Sequence, residues 1–150
     1  MSSSLKPESS IQDEKSTSFY ISIPSNRRNI SQVESFLKSI PQFNTLSEAM
    51  YYNVLIALTE AVNNAIIHGN KLDETKNAEV TAIISSTTLK LLVRDYGIGF
   101  NPDAVPDPRN EENLLREGGR GVFLIMSLIP NSRYTRMDVG MLLEMNIPLT

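Results

Sequence analysis

Apolar and polar residues first alternate from Phe19 to Pro24, with Phe19, Ile21 and Ile23 on one side and Tyr20 and Ser22 on the other. A period of two is that of a half-buried strand, and Pro24 ends it. The spacing then changes to threes and fours through Ile30, Val33, Phe36 and Leu37, which predicts a helix that Ser25 or Asn26 caps and Pro41 stops. Leu46 to His68 carries the strongest helical pattern. Tyr51, Val54, Leu55, Leu58, Ala61, Val62, Ala65 and Ile66 fill one broad side. The remaining arc holds Asn53, Glu60, Asn63, Asn64 and His68, with Ile56, Ala57 and Ile67 among them, and Gly69 is the expected stop.

Alternation returns in Glu79–Ser85 and Leu89–Asp95, two strands joined at a Ser-Ser-Thr-Thr turn. From Tyr96 to about Gly118 regular structure is not expected, because Pro102, Pro106 and Pro108 stand among glycines and charges. Loops of that length inside one domain are usually functional. A short helix, Val122–Ile129, is opened by Gly119 or Arg120 and closed by Pro130. Arg133–Met137 and Met141–Ile147 then form a hairpin about Asp138-Val139-Gly140. This order predicts an α+β fold, a two-layer α/β sandwich with a mixed, largely antiparallel sheet and helices on one face.

Composition narrows the classes. The chain has 150 residues, 41% apolar and 21% charged, with a net charge of −3 and no long Lys/Arg cluster. That is the size of one domain, and it argues against direct nucleic-acid binding. There is no cysteine, so disulfides and zinc–thiolate sites are excluded. No apolar run reaches the roughly 20 residues of a membrane span. Nor does the start of the chain read as a secretory signal, so a cytoplasmic protein is expected. Residues 1–17, rich in Ser, Lys, Glu and Gln, read as a mobile tail before a single domain at 18–150.

Three segments carry chemistry. Glu60 and Asn64 are one helical turn apart, about 40° in phase, so both reach one spot. They are hard oxygen groups suited to magnesium, and a carboxylate beside a hydroxyl can take its proton; taken alone, they could equally be a solvated surface pair. Asp95-Tyr96-Gly97-Ile98-Gly99 leaves a strand directly. Its aspartate can accept from an adenine amine and its glycines admit a planar base, although a plain tight turn has the same spelling. Gly118-Gly119-Arg120-Gly121 lies at a predicted helix start, an anion site or a flexible cap. Neither a Rossmann fingerprint nor a P-loop is present. His68, the single histidine, has no triad partners in view and reads as structural.

Taken in order, Glu60-Ala-Val-Asn-Asn64-Ala-Ile-Ile-His68-Gly69-Asn70, Asp95-Tyr-Gly-Ile-Gly99-Phe and Gly119-Arg-Gly-Val-Phe-Leu-Ile125 resemble the GHKL ATPase superfamily. Within it the chain looks like the stand-alone anti-sigma-factor serine kinases of bacteria, over about residues 18–148. The resemblance implies an ATP/ADP site in which Asn64 coordinates Mg2+ and Glu60 is the base for a partner's serine or threonine. Asp95 would bind the adenine amine, and Gly97 and Gly99 would shape the base pocket. Gly119 and Gly121 would offer amides to the phosphates, and Arg116 or Arg120 would be available to neutralise their charge. Residues 101–118 would be an ATP lid. It also implies a sigma factor as the sequestered partner, an anti-anti-sigma factor as the phosphorylated antagonist, and a homodimer. Two other readings remain: a non-catalytic nucleotide-binding regulatory module, and a histidine-kinase-type catalytic domain acting in trans.

Overall fold

Strand alternation in the sequence becomes a single sheet in the computed structural model, which describes residues 15–99 and 119–149. The strands are β1 (Thr17–Pro24), β2 (Asn77–Ile84), β3 (Thr88–Arg94), β4 (Ser132–Arg136) and β5 (Met141–Pro148). They pair in the order β1-β2-β3-β5-β4. Every pairing among the described residues is antiparallel, in keeping with the largely antiparallel sheet expected from the sequence. No parallel crossover is needed, because each strand meets a neighbour running back from it.

The helices are α1 (Gln32–Lys38), α2 (Glu48–Asn64) and α3 (Gly119–Leu128). They cover one face of the sheet. Ile23, Val80, Ala82, Leu91, Val93, Leu143 and Met145 from the strands share a core with Val33, Leu37, Val54, Leu58, Val62 and Ile125 from the helices. Each fully buried large aliphatic side chain in such a layer stabilises by roughly 2 kcal/mol. The opposite face carries Ser22, Glu79, Thr81, Lys90, Arg94, Glu144 and Asn146, all partly exposed.

Several boundaries differ from the expected ones. The first helical region splits into a 3-10 turn, Arg27–Ser31, capped by Asn26, and then α1. The helix does end ahead of Pro41, at Lys38, and Pro41 itself opens a second 3-10 turn, Pro41–Thr45. Its missing N–H is no loss at a helical start. β1 begins at Thr17, inside the expected tail; residues 1–14 of that tail lie outside the described residues. α2 starts at a Ser47 cap whose side chain accepts from the Met50 amide at 3.2 Å. Ala57, assigned to the polar arc, is fully buried.

The end of α2 departs most. After Asn64 the chain widens into a π-turn, Ala65–Gly69, with the Asn70 amide bonding back to the Ala65 carbonyl at 2.7 Å. Gly69 does not supply the left-handed residue expected at a helix stop. Lys71 (φ 57°) and Leu72 (φ 60°) adopt that conformation instead, and the Leu72 amide closes on the Ile66 carbonyl at 2.9 Å. Non-glycine residues in that region cost roughly 1–2 kcal/mol each. The absence of a side chain at Gly69 therefore serves another purpose, which lies in the site.

Candidate functional site

Glu60 and Asn64 stand on the last turns of α2, both half-buried. α3 crosses them at Gly121, which is buried. A Cβ on Gly121 would lie 2.7 Å from Asn64 Nδ2 and 3.0 Å from Glu60 Oε1. The helices approach so closely only because that side chain is missing. Asn64 Nδ2 is buried and has no hydrogen-bond partner among the described residues. A polar atom left so costs free energy unless a ligand or water serves it. Gly119 and Arg120 occupy the first positions of α3, half-buried and exposed respectively.

The second half of the site lies where β3 ends. Asp95 is only 8% exposed. Its amide donates to the Met141 carbonyl at 3.0 Å, and its Oδ1 accepts from the Gly97 amide at 3.1 Å. Burial pushes the Asp95 carboxyl above its ordinary range, opposed by the Gly97 and Met141 backbone and by Arg94. Backbone packs around this residue. A Cβ on Gly69 would stand 2.5 Å from Asp95 Cγ, one on Gly97 would collide with the Gly69 carbonyl, and one on Gly140 with the Asp95 carbonyl. Gly140 also has φ +81°, so two separate constraints call for glycine there. Gly99 (φ +88°) sits farther out, near Met141, and Ile98 beside it is 80% exposed.

The two halves meet through the π-turn and through Tyr134. Gly69, five residues past Asn64, brings the continuation of α2 against the Asp95 carboxylate. Tyr134, on the helix-facing side of β4, neighbours both. Burial pushes its hydroxyl up, the nearby Asn64 side chain pulls it back, and the Asp95 charge raises it further. Glu60, Asn64 and Gly121 thus form one cluster and Asp95, Gly97 and Gly99 a second, and Gly69, on the continuation of α2, packs against the second. Arg116 and the stretch expected as a lid lie outside the described residues.

A profile of the histidine kinase-like ATPase domain matches residues 23–147. The chain belongs to that family.

This histidine kinase-like ATPase domain is also similar to named proteins. The serine-protein kinase RsbW of Staphylococcus epidermidis is 40% identical over 85 residues, which are 49% of this chain and 51% of that protein. The anti-sigma F factor of Clostridium perfringens is 34% identical over 92 residues, 59% of this chain and 65% of that protein. The chain spans about half the length of the curated relatives it matches first. Among solved structures, the RsbU and RsbW domains of Rv1364c from Mycobacterium tuberculosis superpose with a TM-score of 0.57 at 16% identity, over 87% of this chain and 32% of that one. That likeness speaks for the fold.

Several residues of the site were not assigned a part by sequence reasoning. Asn70, 1% exposed, donates to Ser25 Oγ at 2.9 Å and accepts from the Tyr96 amide at 2.8 Å. Ser25 in turn donates to the Lys76 carbonyl at 2.5 Å. This buried clamp ties the Asp95 turn to the end of β1. Its partners are 45 and 26 residues apart in sequence, so no local pattern marks them. The only signal was that Asn70 ends the His68-Gly69-Asn70 run. His68 itself lies half-buried in the π-turn.

Proposed function

We propose that this domain binds ATP with magnesium and transfers the γ-phosphoryl group to a serine or threonine of a partner protein. The observation that carries the reading is the contact of Gly121 with both Glu60 and Asn64, on the helix whose continuation packs against Asp95. Asp95 accepts the adenine amine, and the open backbone at Gly97 and Gly99 leaves space for the base. Gly119 and Gly121 leave backbone amides near the phosphates, and Arg120 adds positive charge at the same helix end. A carboxylate and an amide oxygen side by side, against a helix surface free of side chains, suit magnesium. Bound there, held by Asn64, magnesium would neutralise phosphate charge.

Phosphoryl transfer asks the protein mainly for positioning and charge neutralisation. Glu60 takes the proton from the acceptor hydroxyl as its oxygen bonds to the γ-phosphorus. The bond from that phosphorus to the β–γ bridging oxygen breaks, and ADP leaves. Similarity to a serine-protein kinase and to an anti-sigma F factor supports a regulatory role. In it the domain sequesters a sigma factor, phosphorylates an anti-anti-sigma antagonist and works as a homodimer in the cytoplasm. Among the described residues no helix is long and apolar enough to cross a membrane.

Glu60→Gln tests the reading. General bases contribute about 10²–10⁴-fold, so serine phosphorylation of a co-purified partner should fall by about 100-fold or more. ATP affinity by calorimetry should change little. Undiminished transfer by Glu60→Gln would remove Glu60 as base, and phosphate on a partner's histidine would overturn the serine-kinase assignment.

A further inference from the structure

The outer face of the sheet, away from the helices, holds a group that neither cluster of the site uses. Glu79 on β2 bridges two tyrosines. Its Oε1 accepts from the Tyr96 hydroxyl at 2.5 Å and its Oε2 from the Tyr20 hydroxyl at 2.9 Å. The Arg94 guanidinium lies 4.5 Å from the Tyr96 ring centre, in cation–π range. Arg94 also donates to the Asp95 carbonyl at 3.2 Å and to the Val139 carbonyl at 2.8 Å.

Tyr96 is the residue between Asp95 and Gly97, so its position sets theirs. On the inner side its amide is fixed by Asn70 Oδ1 at 2.8 Å. On the outer side its side chain is fixed by Glu79 and covered by Arg94. The hairpin that places Gly140 against the Asp95 carbonyl is held by the same guanidinium, through Val139. The turn is thus pinned from both faces of the sheet, and only the inner pin is buried.

We infer that Glu79, acting through the Tyr96 hydroxyl, is a positioning residue for the purine-binding carboxylate Asp95, reaching it from the opposite face of the sheet. The inference rests on the nucleotide reading above and adds to it residues that touch no nucleotide. Strand register supports the geometry: Glu79 pairs directly with Arg94 on β3 and with Ser22 on β1. This places a carboxylate beside the one side chain that grips both Tyr96 and the Asp95 backbone. Both tyrosine hydroxyls are pushed up, first by the bond to Glu79 and then by burial, so both stay protonated and donating at neutral pH.

The experiment compares wild type, Tyr96→Phe, Glu79→Ala, Glu79→Gln and the double variant Glu79→Ala/Tyr96→Phe. ADP affinity is read by calorimetry and the apo melting temperature separately. Loss of one charge-assisted hydrogen bond at the turn should weaken ADP binding about 5- to 10-fold in Tyr96→Phe and in Glu79→Ala. The double variant should be no weaker than either single one, because both remove the same link. Glu79→Gln keeps an oxygen acceptor and should recover most of the affinity lost in Glu79→Ala. The apo melting temperature should move by less than about 3 °C, which a purely structural role would exceed. Affinities within twofold of wild type in Tyr96→Phe and Glu79→Ala, or additive losses in the double variant, would overturn the inference. Absence of ADP binding by the wild type would instead overturn the nucleotide reading itself.

Discussion

Gly69 presses its α-carbon against the Asp95 carboxylate, so closely that a Cβ would stand 2.5 Å from Cγ and 2.7 Å from Oδ2. The two residues belong to elements 26 positions apart, the π-turn and the end of β3.

Gly69→Ala should therefore swing the carboxylate away from its present direction. Overpacking of this kind costs about 1–3 kcal/mol of stability. The affinity for ATP should fall at least about tenfold, the equivalent of 1.4 kcal/mol. Denaturant melts and calorimetry would check the two effects separately. An alanine variant with wild-type affinity would show that Asp95 does not read the base.

Asp95→Asn should separate stability from binding. Burial raises the Asp95 carboxyl in the folded chain, so between its ordinary and raised values the folded state binds more protons than the unfolded one. Stability then falls as pH rises through that window, and the deficit is full above it. The asparagine variant keeps an oxygen for the Gly97 amide and carries no charge. Its apo form should melt at or above the wild-type temperature at pH 7–8, and the gap should close as pH is lowered through the carboxylate range. Its nucleotide affinity should be weaker throughout. Parallel melting curves at every pH would contradict the assignment.

Gly121→Ala distinguishes space from fold. Alanine is favoured over glycine in a helix by about 1 kcal/mol, so α3 itself gains. The added methyl, however, meets Asn64 Nδ2 at 2.7 Å and Glu60 Oε1 at 3.0 Å. The variant should stay folded by circular dichroism yet lose about tenfold or more of its phosphotransfer, since small displacements of catalytic groups carry such costs. Normal transfer would mean that the helix contact is not part of the machinery.

The strands were legible because burial imposes a period of two, visible in Val80, Ala82 and Ile84 and again in Leu89, Leu91 and Val93. α2 was legible as a helix for the same kind of reason. Its π-turn was not, since Ala65, Ile66 and Ile67 are apolar in either helical geometry and one extra residue per turn leaves no trace in such a run. Ala57 carries too small an apolar signal to show its burial. The 3-10 turns flanking α1 share the spacing of a helix. Of the site, each cluster could be named from its residue types, but their junction could not. Gly69 looked like a helix stop because glycine commonly is one, whereas here the missing side chain makes room for Asp95. The Asn70–Ser25–Tyr96 clamp and the Glu79 bridge join residues far apart in sequence, and only the strand pairing makes them neighbours.

One rod of chain, α2 with its π-turn, bears Glu60 and Asn64 at one place and Gly69 a few residues on. At 1.5 Å per residue the step from Asn64 to Gly69 is less than roughly 8 Å. The domain accordingly carries a built-in ruler. A nucleotide bound as proposed would be measured at both ends against a single rigid stick, and molecules of the wrong span would lose one grip or the other without any loop having to refuse them.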